Sequence, residues 1–224
     1  MILKKVFSGF YLVVLSIVFF SCGAGTEKRV DRTQYEIERK DREPKKIQEA
    51  EILEQALEIG TEIATRSQFA LSTQLKKAIE AGGIAHAISF CNVEAISSIT
   101  DSLEQAYNAK IKRTSLQVRN KSNEPDSMES DILAAYAYNL AEGLELNDNV
   151  QRINNETILY TKVISVDNPL CLHCHGMAGN EMKEETAKLI RQLYPNDKAI
   201  DYKMGDLRGI WSIRLDSKSV VRSL

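Results

Sequence analysis

The chain has 224 residues, 43% of them hydrophobic and 27% charged, which is the balance of a globular protein. That excludes a disordered chain, a collagen-like chain and a multi-span membrane protein. Lys and Arg number 29 against 31 Asp and Glu, so the charge carries no nucleic-acid footprint. Four cysteines are present, and each can be given a task other than disulfide pairing.

Residues 1–21 read as a secretory signal. Lys4 and Lys5 form a basic start, and residues 6–20 form an apolar run of 15, suited to a signal-peptide core and short for a membrane span. The stretch Val18-Phe19-Phe20-Ser21-Cys22 resembles a bacterial lipoprotein cleavage box, with Phe19 where Leu is more usual. On that resemblance Cys22 is the lipidated first residue of the mature chain. The expected location is the periplasmic side of a bacterial membrane, lipid-anchored. A simple signal peptide, with Cys22 incidental, is the alternative. The mature chain would carry 27 basic and 31 acidic residues, a net charge of −4, so attachment would come from the lipid and not from anionic headgroups.

Residues 22–45 are dense in both charge signs, lack an apolar stripe and are closed by Pro44. They read as a flexible tether spanning roughly 25–30 Å; a charged, partly helical lead into the next helix is the alternative. Residues 46–224 read as one domain without internal repeats. Apolar residues at helical spacing (Leu53, Leu57, Ala64, Leu71, Leu75, Ala78) predict a long helix over 46–81, ending at Gly82-Gly83. A second helix is predicted over 84–103, with Ile84, Ile88, Cys91, Ala95 and Ile99 on its apolar face.

Then the period changes. Residues 110–119 alternate and are rich in Thr, Val and Ile, so they read as a strand. Residues 123–126 are a turn, and Asp126 with Glu129 makes a capping box for a helix over 127–142, with Gly143 just past its end. A second strand is predicted over 154–166, broken by Asn168-Pro169. A short helix over 181–193 and a last strand over 208–215 around Trp211 complete the domain. Further strands are expected between 143 and 154. Helices first, then antiparallel strands with helical inserts, predict an α+β fold.

Cys171-Leu172-His173-Cys174-His175 is C-x-x-C-H, the attachment signature of c-type haem. Two thiols at this spacing reach the two vinyl-derived carbons along one porphyrin edge. The adjacent imidazole then lies beneath the iron as proximal ligand. At this cysteine and histidine content a chance match is expected about once in a thousand such chains. Export, read independently at the N-terminus, supplies the compartment in which such haem is attached. One covalent haem c is therefore the expected cofactor. A zinc site or a redox dithiol is the alternative, but no second C-x-x-C exists to complete the first and no βαβ pattern accompanies the second.

His173 sits between the anchored thiols and cannot readily reach the iron. His86 reads as a core-edge histidine rather than a ligand. Met177, Met182 and Met204 read as packing rather than haem contacts. Cys91 is the remaining thiol, and a buried cysteine is most often a small hydrophobe; a role as iron ligand stays open at this point.

The sequence resembles the periplasmic c-type-haem domains with a PAS-like fold, found as input modules of bacterial signalling proteins and as standalone small cytochromes. The resemblance rests on six stretches in order: Ala87-Ile88-Ser89-Phe90-Cys91, Arg113-Thr114-Ser115-Leu116-Gln117-Val118-Arg119-Asn120, Asn123-Glu124-Pro125-Asp126, Cys171-Leu172-His173-Cys174-His175-Gly176, Tyr194-Pro195-Asn196-Asp197, and Met204-Gly205-Asp206-Leu207-Arg208-Gly209. Together they cover about residues 55–216. The resemblance implies a five-stranded antiparallel sheet cradling the haem, with long N-terminal helices before it. It implies that Cys91 lies on the distal side of the iron opposite His175. It also implies family positions at Arg113, Arg119 and Arg208, which are candidate partners of the haem propionates; a fold-pinning role for these arginines stays open.

The expected function is a redox or small-ligand sensor that signals through a protein partner, since no kinase, cyclase or chemoreceptor domain is read in the chain. A periplasmic electron-transfer cytochrome is the alternative. An enzyme is not expected, because a second protein ligand would close the open iron position that peroxidase chemistry needs. Beyond the membrane reached through Cys22 and that redox or signalling partner, no nucleic acid is expected.

Overall fold

The computed structural model describes residues 31–42, 46–90 and 93–224. The stretch read as an export signal, Cys22 and Cys91 lie outside the described residues. The chain divides into a unit of residues 1–45 and a unit of residues 46–224.

In the first unit, helix α1 (Arg32–Arg42) spans 11 residues, and its described side chains are exposed. The stretch read as flexible tether is therefore helical over this length. Oppositely charged residues one turn apart support it, as in the Arg39–Glu36 pair at 3.4 Å.

In the second unit, α2 (Glu49–Phe90) departs from helical geometry at Gly82 and Gly83. Gly83 has φ +74°, a conformation glycine adopts without a Cβ penalty, so the expected stop holds as a break. Then follow α3 (Val93–Tyr107), β1 (Ala109–Thr114), a single 3-10 turn (Lys121–Asn123), α4 (Ser127–Ala141), β2 (Asn149–Arg152) and β3 (Thr157–Ser165). The chain ends with α5 (Pro169–His175), α6 (Glu184–Leu193), β4 (Leu207–Asp216) and α7 (Ser217–Arg222).

The sheet is antiparallel with order β1-β4-β3-β2, and the fold is α+β. The described residues form four strands where the resemblance implied five. Strand β2 fills the gap expected to hold further strands. Strand β1 ends at Thr114 rather than 119, so the segment from Ser115 to Arg119 runs out of the sheet as a loop. Asn168-Pro169, read as a breaker, starts α5 instead.

Strand β4 is central, and its side chains alternate between two covered faces. Trp211, Ile213 and Leu215 cluster with Ala56, Ile63, Ala64 and Leu71 of α2 and with Ile158 and Tyr160 of β3. On the other face Ile210 packs with Leu133 and Tyr136 of α4. Gly60 lets α2 approach the sheet this closely: a Cβ there would lie 2.2 Å from Cγ of Tyr160. Gly60→Ala is therefore expected to cost about 1–3 kcal/mol of stability through overpacking. Urea unfolding of the two proteins checks this; equal midpoints would show that α2 can lift off Tyr160 freely.

Candidate functional site

The C-x-x-C-H residues occupy a single short helix with well-defined ends. The Asn168 side chain accepts from the Leu170 N–H at 2.9 Å, Pro169 takes the first turn, and Gly176 N–H donates to the Leu172 carbonyl at 2.9 Å. Positions i, i+3 and i+4 share one helix face, so Cys171, Cys174 and His175 are presented together. The two residues between the thiols divide differently. Leu172 is buried with Val166, Ala199 and Tyr202, fastening the helix to the fold, while His173 is exposed. Both thiols are half-buried and free of disulfides. Burial pushes the Cys171 thiol up.

The His175 ring is fixed by one hydrogen bond. Its Nδ1 lies 2.8 Å from the Ala199 carbonyl oxygen. A carbonyl only accepts, so Nδ1 carries the proton and Nε2 is left with its lone pair. The Tyr202 ring stands edge-on at 6.1 Å, and the Tyr202 N–H donates to the His175 carbonyl at 2.9 Å. Burial, followed by the guanidinium charges of Arg208 and Arg119, holds the imidazole well below its ordinary pKa. At neutral pH it is an uncharged donor of one nitrogen lone pair, the form a metal ligand needs.

The three candidate arginines converge electrostatically on His175 but make different contacts. Arg119 is buried with Asp197, donating from Nε to Oδ2 at 3.1 Å; its Nη2 donates to the carbonyls of Cys174 and Ala199. Arg208 lies over the Tyr202 ring at 5.3 Å, and its buried Nε has no hydrogen-bond partner. Arg113 lies over the Trp211 ring at 5.3 Å. A buried guanidinium nitrogen without a partner among the described residues can take an anionic group such as a carboxylate. Two thiols, a neutral imidazole and an under-satisfied guanidinium fit a c-type haem with its propionates.

Other sequence candidates fall elsewhere. His86 is exposed rather than at a core edge. Met182 is buried against Ile88, Ala187 and Ile190, while Met177 and Met204 are exposed. Ile88 belongs to the same cluster as Cys174, so the helical stretch leading toward Cys91 packs beside the attachment helix. Sequence reasoning missed Ala199 and Tyr202, and quoted Asp197 only within a stretch that carries the resemblance, without a role. Ala199 acts through its backbone, and Tyr202 through its N–H and its ring; neither lies in a pattern that local sequence announces.

An antiparallel α+β domain presenting C-x-x-C-H on a capped helix, with a neutral oriented imidazole, defines the class. The Tll0287-like family, described as Tll0287, matches residues 39–216, and the chain belongs to that family. Among solved structures, one described as the crystal structure of the cyanobacterial heme-protein Tll0287 is similar, at 22% identity and a TM-score of 0.46. The match covers 66% of this chain and 91% of that one. No curated protein matches the chain.

Proposed function

We propose that the chain is an exported, lipid-anchored c-type haem protein that acts as a redox or small-ligand sensor and signals through a protein partner. The observation that carries the haem reading is the His175 ring, oriented by the Ala199 carbonyl with Nε2 left as the donor, on the same helix face as two thiols that form no disulfide. A solved relative described as a heme-protein supports it. Bound haem supplies an iron centre with two accessible oxidation states.

The chain's own residues do the rest. Cys171 and Cys174 would hold the haem by thioether bonds, and His175 would bind its iron through Nε2. Arg208 would offer its Nε to a propionate. Cys91 would supply a second iron ligand, and Cys22 would carry the lipid. Sensing is favoured over simple electron transfer by the PAS-like resemblance.

The test uses the membrane fraction of cells making the protein. Acidified acetone strips non-covalent haem but leaves thioether-bound haem in place, so the colour is expected to stay with the protein. Colour moving into the acetone sinks the covalent reading. A coloured mature protein found only in the soluble periplasmic fraction sinks the anchor at Cys22 and leaves the haem reading standing.

A further inference from the structure

Arg119 and Asp197 are nearly closed off from solvent, with side chains 11% and 5% exposed. We propose that Arg119, held by Asp197, is a positioning residue for the proximal imidazole, setting the orientation and donor strength of His175 through the Ala199 carbonyl. This rests on the reading that His175 binds haem iron.

The geometry converges on Ala199, which is fully buried. Its carbonyl receives two donors, His175 Nδ1 at 2.8 Å and Arg119 Nη2 at 3.2 Å. Asp197 uses both of its oxygens on the same unit: Oδ2 accepts from Arg119 Nε at 3.1 Å and Oδ1 accepts from the Ala199 N–H at 2.8 Å. The pair therefore fixes both backbone polar groups of Ala199. Nη2 also donates to the Cys174 carbonyl, which ties this wall to the helix that carries His175. With the acceptor direction fixed at one end and α5 fixed at the other, the imidazole plane has little freedom left.

Two electronic effects follow, and they have the same sign. The guanidinium draws on the Ala199 oxygen, so that oxygen accepts less strongly from Nδ1–H. The ring then keeps less imidazolate character and gives less electron density to a metal at Nε2. The positive charge of Arg119 in a poorly solvated place also favours the oxidation state with one more electron. Both effects raise the reduction potential. An ion pair that only braced the fold would alter stability and leave these properties untouched.

The experiment is a redox titration and a ferric electron paramagnetic resonance spectrum of the full haem-loaded chain, as wild type, Arg119→Gln and Arg119→Lys. Arg119→Gln is expected to lower the midpoint potential and change the g anisotropy, which reports the ring plane. Arg119→Lys keeps the charge but loses the fork, so its potential is expected to fall less while its anisotropy still changes. The lysine variant keeps the test readable if the glutamine variant does not fold. A raised or unchanged potential with unchanged anisotropy overturns the proposal, whatever happens to stability. A wild type without haem overturns the functional reading and this proposal together; haem present with indifferent variants overturns this proposal alone.

Discussion

Glu129→Ala is expected to lower the free energy of unfolding by about 3–5 kcal/mol, the cost typical of leaving a buried charge network uncompensated. The Glu129 side chain is fully buried, and each of its oxygens has two partners. Oε2 accepts from Lys112 Nζ at 2.8 Å and from the Asp126 N–H at 3.0 Å. Oε1 accepts from Ser212 Oγ at 2.7 Å and Arg214 Nη1 at 3.2 Å. One carboxylate thus caps α4 and binds its start to β1 and β4. Truncation removes all four of these bonds: Lys112 keeps only the Glu124 carbonyl and Arg214 only Asp126, while the buried Ser212 hydroxyl loses its acceptor.

The same site sets an acid limb. Burial pushes the Glu129 carboxyl up, but the hydrogen bonds from Lys112, Asp126 N–H and Ser212 outweigh it and leave its pKa below the ordinary 4.5. Asp126 is lowered in the same direction. A carboxyl with a lower pKa in the folded state binds fewer protons there than in the unfolded state. Its stabilisation is present above the ordinary value and is lost as pH falls through the folded one. Glu129→Gln is therefore expected to be less stable than wild type at pH 7, with the gap closing in acid. Urea midpoints of the holoproteins across this range check both variants. A Glu129→Ala loss under 1 kcal/mol, or parallel pH curves for wild type and Glu129→Gln, would remove the network from this role.

Glu129 also shows where sequence reading stops. The capping box was legible because Asp126 and Glu129 are three residues apart and the box is a local rule. Lys112, Ser212 and Arg214 were not, because they reach Glu129 only after β1 and β4 pair. Local signals likewise placed α4, the break at Gly82-Gly83 and strands β3 and β4. Strand β2 escaped because Asn149–Arg152 is four residues long and offers almost no period to read. Helix α1 escaped because it buries no stripe and rests on charge pairs at helical spacing. At the site, C-x-x-C-H is a spacing written in consecutive residues, so the helix face that carries Cys171, Cys174 and His175 was legible. The role of Arg119 was not: its partners are the carbonyls of Cys174 and Ala199, 55 and 80 positions away.

Cys91→Ala is expected to raise the reduction potential and change the ferric spectrum. In the proposed function Cys22 goes to lipid and Cys171 and Cys174 go to the porphyrin, which leaves one thiol in an oxidising compartment without a partner cysteine. The other soft or imidazole donors are poorly placed among the described residues. His86 is exposed, Met177 and Met204 are 51% and 48% exposed, and Met182 is packed against Ile88, Ala187 and Ile190. Ile88, three positions before Cys91 in the sequence, shares its cluster with Cys174 of the attachment helix. A thiolate places negative charge on the iron and favours the ferric state. Removing it therefore moves the potential upward, opposite to the fall expected for Arg119→Gln, which removes a positive charge. The shift is also expected to be the larger of the two, because Cys91 would touch the metal while Arg119 acts through the Ala199 carbonyl. Axial ligands move haem potentials over a span of about 0.8 V, so a rise on the order of 0.1 V is the expected scale. Potentiometry and ferric absorption spectra of the two holoproteins decide it. An unchanged spectrum and potential in Cys91→Ala would remove Cys91 from the iron and return the second axial position to His86 and Met204.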